Sequence, residues 1–142
     1  MQVQEVMTDH VELIDPNTMI RDAAQKMRAD NLGALPVGEN GRLIGMVTDR
    51  DIVVRAVAEN RAPGNTSVRE VMSDGVYFCF NDADIQQAAD VMAEHQVRRL
   101  PVLNRDNRLV GIVALADLGN ARTNAAATAL QGISEPTDQP RR

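Results

Sequence analysis

The sequence predicts an α/β protein made of two tandem β-α-β-β-α units related by pseudo-twofold symmetry. Three observations carry this: an internal repeat, a helical spacing of apolar residues that recurs in both copies, and short apolar strands joined by turn residues. Val3 to Ile52 realigns with Val68 to Leu118. Glu5-Val6-Met7-Thr8-Asp9 matches Glu70-Val71-Met72-Ser73-Asp74, Leu35-Pro36-Val37 matches Leu100-Pro101-Val102, and Arg42-Leu43-Ile44-Gly45 matches Arg108-Leu109-Val110-Gly111. Pro36 and Pro101 lie 65 residues apart and Gly45 and Gly111 lie 66 apart, so one residue is inserted in the intervening turn, where insertions are tolerated.

Within each copy the apolar spacing names the elements. Ile20, Ala23, Ala24 and Met27 fall at i, i+3, i+4 and i+7, one face of a helix, and Ile85, Ala88, Ala89 and Met92 repeat it. Asn17 or Thr18 is the expected N-cap of the first helix, and Asn81 or Asp82 that of the second. Leu35-Pro36-Val37 reads as a short strand, Glu39-Asn40-Gly41-Arg42 as a hairpin turn, and Leu43 to Val47 as the returning strand. A second helix is expected from Asp51 to about Asn60, capped by Thr48 or Asp49. The resulting organisation is a first repeat at 1–60, a linker at 61–67, a second repeat at 68–122, and at 123–142 an Ala-rich segment that could form a last helix, then a tail expected to be disordered. A unit of roughly 50 residues buries little surface alone, so the two copies are expected to pack on each other.

Composition excludes several functions. The chain has 142 residues, 44% of them hydrophobic, and a formal charge of −5, which opposes a phosphate-tracking surface for nucleic acid. Its three aromatic residues, Tyr77, Phe78 and Phe80, offer little area for stacking single-stranded bases. Cys79 stands alone in an apolar run, so no internal disulfide forms, and a buried small hydrophobe is expected there. The sequence shows no apolar run of membrane-span length and no signal-peptide pattern at its start, and a cytoplasmic location is expected. His10 and His95 have no second ligand at metal spacing. No nucleophile paired with a base and no Walker-type loop is legible, so binding without catalysis is the expectation.

Chemistry concentrates at Gly45-Met46-Val47-Thr48-Asp49-Arg50-Asp51. A glycine permits close approach, a hydroxyl at a helix start can meet phosphate oxygens, a carboxylate three residues on can accept from both hydroxyls of a ribose, and Arg50 adds a cation. The same residues also suit a plain helix cap, and the residue types alone leave both roles open.

Gly-h-h-Thr-x-x-Asp, preceded by Leu-Pro-Val and a Gly-Arg-Leu turn and duplicated in order, resembles the CBS-domain pair over nearly the whole chain apart from the tail. The resemblance implies a non-catalytic regulatory module that requires no cofactor, binds an adenine nucleotide of the AMP, ADP, ATP, NAD or S-adenosylmethionine class between its repeats as a regulatory ligand, and pairs as a homodimer. It further implies one site from Thr48, Arg50, Asp51, Ser73, Tyr77, Arg98 and Arg99, and another from Asp117, Thr8, Glu12, Gly33 and Ala34. The second copy reads Gly111-Ile112-Val113-Ala114-Leu115-Ala116-Asp117, so Ala114 and Ala116 replace the hydroxyl and the cation, and the second site is degraded. The alternative is a scaffold that dimerises or docks an unidentified protein partner, its ligand sites vestigial.

Overall fold

The computed structural model describes residues 1–120 and 125–136. Two compact units emerge, Glu12–Val76 and a second formed by Met1–Val11 together with Tyr77–Arg142. The predicted end of the chain, 137–142, lies outside the described residues.

The unit Glu12–Val76 holds α1 (Ile20–Asp30), β1 (Ala34–Glu39), β2 (Arg42–Thr48) and α2 (Asp49–Ile52), which runs on as a π-helical turn over Val53–Val57, and then a 3-10 turn at Val68–Glu70. The expected single helix to Asn60 is therefore one α-turn followed by wider winding, with Ala58 N–H donating to Val53 O and Arg61 N–H to Ala56 O. β1 and β2 are antiparallel, from Ala34 opposite Thr48 to Glu39 opposite Arg42. Asn40 (φ 54°) and Gly41 (φ 77°) both take the left-handed region, the requirement of a tight hairpin turn that Asn-Gly meets at least cost. The leading strand of this repeat shrinks to one parallel bridge, Ile14 with Val37.

The other unit holds β3 (Cys79–Phe80), α3 (Ile85–His95), β4 (Arg99–Leu103), β5 (Leu109–Ala114), α4 (Leu115–Asn120) and α5 (Ala125–Ser134). Its sheet order is β3-β4-β5, with β3 parallel and β5 antiparallel to β4.

Each core is completed by the short turn that opens the other sequence repeat. Val3 is buried among Ile85, Ala88, Met92 and Val113, whereas Val68 and Val71 are buried with Ile20, Ala23, Val37 and Val47. Packing thus exchanges Val3–Glu5 and Val68–Glu70 between the repeats as written in sequence. The exchanged segments also explain how proline sits inside a strand. Met46, opposite Pro36, spends its N–H on Ser73 O and its C=O on Ser73 N–H, and Ile112, opposite Pro101, does the same with Thr8. Neither proline has to supply the N–H it lacks.

Two expectations about the helices are corrected. Neither Asn17 nor Thr18 caps α1, and neither Asn81 nor Asp82 caps α3; the N-cap residues are Met19, without a side-chain bond, and Asp84, whose Oδ1 accepts from Gln86 N–H at 2.8 Å. The preceding residues are held extended because Thr18 O accepts from Val68 N–H and Ala83 O accepts from Val3 N–H, so the helices start later. Ala24 is exposed, although its counterpart Ala89 is fully buried. The cause is α5, which covers α3 along Gln86, Ala89 and Ala93 and bonds to Gln96 just beyond it, and which among the described residues has no equivalent on α1. Gln86 Nε2 donates to Thr128 Oγ1 (3.4 Å), and Gln96 Nε2 donates to Gly132 O (3.3 Å) and Glu135 O (2.9 Å), holding the end of α5.

Gly132 is the closest point of this docking, since a Cβ there would lie 2.8 Å from Ala93 O and collide with Ala93 Cα and Cβ. Gly132→Ala is expected to lower stability to denaturant by about 1–3 kcal/mol through overpacking. Unchanged or raised stability, the outcome expected from alanine's better helix propensity by itself, would show that α5 does not seat on α3.

Candidate functional site

In the unit Glu12–Val76 the Gly45-to-Asp51 segment closes into a compact polar cluster. Thr48 Oγ1 accepts from Asp51 N–H at 3.0 Å and Asp51 Oδ2 accepts from Thr48 N–H at 2.9 Å, a reciprocal capping box at the start of α2. The capping role that the sequence left open is therefore present. It does not exhaust either group, because a hydroxyl that accepts one bond still carries a donor and a carboxylate has about four acceptor positions. Asp51 is only 6% exposed, while Arg50 beside it is exposed, its N–H donating to Asp49 Oδ1 at 2.8 Å.

Ser73 joins this cluster through the backbone. Its N–H and C=O pair with Met46 at 2.9 and 3.0 Å, two residues before Thr48. Gly45 makes the approach possible, since a Cβ there would stand 2.6 Å from Ser73 O and 3.0 Å from Met72 Sδ. The Ser73 hydroxyl oxygen is buried and has no hydrogen-bond partner among the described residues. A buried hydroxyl in that condition costs stability, which makes it a marker of something the fold alone does not use. The strand before Leu35 borders the same cluster: Asp49 N–H donates to Gly33 O at 3.0 Å and Ala34 stands opposite Thr48. Gly33 and Ala34, which the resemblance set with Asp117, are thus neighbours of Thr48 inside this unit. Glu12 is exposed and ion-paired with Lys26 at 3.7 Å.

Arg55 is a member that sequence reasoning missed. Its Nε lies 3.9 Å from Asp51 Oδ1, and its Nη1 donates to both Val71 O and Met72 O at 3.3 Å. An arginine four residues after an acid on a helix was the available signal.

The other unit repeats the frame with fewer polar groups. Thr8 pairs with Ile112 through both backbone groups, and Gly111 admits it, a Cβ there standing 2.6 Å from Thr8 O. Asp117 Oδ2 accepts from Ala114 N–H at 2.7 Å, but Ala114 has no hydroxyl to return the bond. Only half of the box survives. Arg98 and Arg99 are exposed and border this half-box, with Leu115 N–H donating to Arg98 O and Arg99 opposite Ala114. Tyr77 stacks on His95, ring centroids 3.5 Å apart and 11° from parallel. Asp82 holds Arg105, which lies over the Phe80 ring, and the Arg105 guanidinium keeps the Asp82 carboxyl below the usual carboxylate range.

Among the described residues no group of three or more His, Cys, Asp or Glu side chains gathers to hold a metal ion, and no helix is long and apolar enough to cross a membrane. Burial pushes the Cys79 thiol up to about 12, so at neutral pH it stays protonated and is a poor nucleophile.

The comparisons with known proteins agree with the duplicated frame. The CBS domain family matches twice, over residues 3–57 and 68–122. The CBS domain-containing protein YhcV of Bacillus subtilis is 46% identical over 134 residues, 93% of this chain and 94% of that protein. Hypoxic response protein 1 of Mycobacterium tuberculosis is 41% identical over 116 residues, 81% of this chain and 80% of that protein. A crystal structure of Hypoxic Response Protein I with two coordinated zinc ions superposes at a TM-score of 0.76 and 39% identity, covering 85% of this chain and 98% of that one. The CBS domain pair of protein MJ0100, solved with 5'-methylthioadenosine and S-adenosyl-L-methionine, superposes at 0.76 and 25% identity, covering 85% and 94%. With the family matched twice along a chain whose two copies carry the same glycine, the same proline strand and the same acidic turn, this protein belongs to the CBS domain family as a tandem pair.

Proposed function

We propose that the protein is a non-catalytic regulatory module that binds an adenine nucleotide, with the seat for the ribose and phosphate at Thr48, Asp51 and Ser73. The observation that carries this is the buried Ser73 hydroxyl without a hydrogen-bond partner among the described residues, on a residue whose backbone pairs with Met46, two residues before an intact capping box. A ligand oxygen would satisfy that hydroxyl, and a carboxylate such as that of Asp51 is an acceptor suited to ribose hydroxyls. Arg50 is exposed beside the box and favours a phosphate-bearing ligand. The binding of adenosine derivatives by MJ0100 supports the ligand class. A ligand acts as a signal only by preferring one arrangement of the chain over another.

Calorimetric titration with AMP, ADP, ATP, NAD and S-adenosylmethionine tests the seat. Ser73→Ala removes a hydroxyl that the empty fold leaves unmatched, so it is expected to keep or raise the unfolding temperature while lowering affinity. Asp51→Asn keeps an acceptor for Thr48 N–H and is expected to lose tenfold to a hundredfold in affinity, the equivalent of about 1.5–3 kcal/mol for a charge-assisted hydrogen bond. Asp117→Ala is expected to matter less for that ligand. Affinities of Ser73→Ala and Asp51→Asn both equal to the parent would remove the assignment.

One observation also favours a second copy of the chain as partner. Val53, Val54 and Val57 leave a contiguous exposed apolar stripe on the π-turn, with Val57 62% exposed. A homodimer covers such a stripe. Light scattering at micromolar concentration is expected to give the dimer mass, and a monomer mass with and without nucleotide would contradict it.

A further inference from the structure

We propose that Arg55 is a positioning residue that couples Asp51 to the Val71–Ser73 segment, so that a ligand at Asp51 is sensed in the stretch of chain leading out of this unit. The inference rests on the ligand reading above for its second half only. The geometry is a relay of three parts. Asp51, nearly buried, presents Oδ1 to Arg55 Nε at 3.9 Å. Arg55 spans from there to two successive carbonyls, Val71 O and Met72 O, each 3.3 Å from Nη1. Ser73 follows, paired in both directions with Met46. A guanidinium can serve a carboxylate and a pair of carbonyls together because its donors project in a fixed planar fork, which a lysine ammonium lacks.

The relay is placed where a signal has somewhere to go. Residues 74–76 continue directly from Ser73 to Tyr77, the first residue of the other unit on this side. Thr48 N–H and Arg55 are both partners of the Asp51 carboxylate, so a ribose hydroxyl that arrives there changes how strongly Arg55 is held and, through it, how firmly Val71–Ser73 lies against β2. The second repeat carries no such arginine. With Asp117 aligned on Asp51, the position of Arg55 falls on Ala121. The aligned position thus holds an arginine in the first repeat, the one that also keeps the complete capping box, and an alanine in the second.

Amide hydrogen exchange on the whole chain tests this without and with ligand. In the unliganded protein, Arg55→Met and Asp51→Asn are each expected to speed exchange at Ser73 and Met46 by about tenfold, corresponding to about 1.4 kcal/mol of local opening. The double variant is expected to exchange no faster than Arg55→Met, because both changes break one relay. Acceleration by Arg55→Met with no effect of Asp51→Asn, or fully additive effects, would overturn the coupling whatever the ligand. With the calorimetrically active nucleotide at saturation, the parent is expected to slow exchange at Ser73 and Met46, and Arg55→Met is expected to bind without that slowing. Slowing that persists in Arg55→Met would equally overturn it. Failure of all nucleotides to bind the parent would sink the proposed function and leave the relay to be judged by the unliganded arms.

Discussion

The close passage of one backbone over a glycine is the constraint on which the rest depends. Ser73 lies against β2 at Gly45 and Thr8 lies against β5 at Gly111, each with its carbonyl oxygen 2.6 Å from where a Cβ would stand. Because that passage occupies both backbone groups of Met46 and Ile112, the strands opposite can carry proline, and the leading turns can deliver Val68 and Val3 into cores belonging to the other repeat's strands and helix. The same passage pairs the Ser73 backbone with Met46, two residues before Thr48. One packing requirement thus explains the motif glycine, the motif proline and the location of the polar cluster.

Duplication of the frame was not followed by duplication of its surface. The first repeat keeps Thr48, Arg50 and Arg55 around its acid, whereas the second has Ala114, Ala116 and Ala121. The second repeat instead acquired a structural partner. Where α1 carries Arg21 and Arg28, α3 carries Gln86 and Ala93, and α5 rests on that smaller face and is held at its end by Gln96. Polar chemistry sits on one copy and the additional apolar burial on the other.

Much of this was legible beforehand because repetition multiplies weak signals. The helix spacing, the pair of strands joined by a turn and the strand prolines each recur, and the structure has the hairpin and the helices in both copies. Ala24 was misjudged because periodicity registers an apolar position without registering what covers it; the signal lay in comparing Arg21 and Arg28 with Gln86 and Ala93. The caps were misjudged because Thr18 and Ala83 are recruited by pairings across about 50 to 80 residues of chain, which local propensity does not encode. Arg55 is announced only by its i,i+4 spacing from Asp51, a pattern common on exposed helices, while its contacts with the Val71 and Met72 carbonyls have no side-chain signature in the sequence. The capping box was anticipated as one of two roles, and its presence leaves the ligand role to experiment.

The central claim is that the polar cluster of the first repeat, and not its alanine-substituted counterpart, receives the nucleotide. An amide-resolved NMR titration with AMP addresses it directly, since both clusters report in one spectrum. The account predicts the largest shifts at Met46, Thr48, Asp51 and Ser73, with smaller changes at Thr8, Ala114 and Asp117. Shifts centred on the second cluster while the first stays unmoved, or a spectrum indifferent to AMP and to the other adenosine ligands, would contradict it.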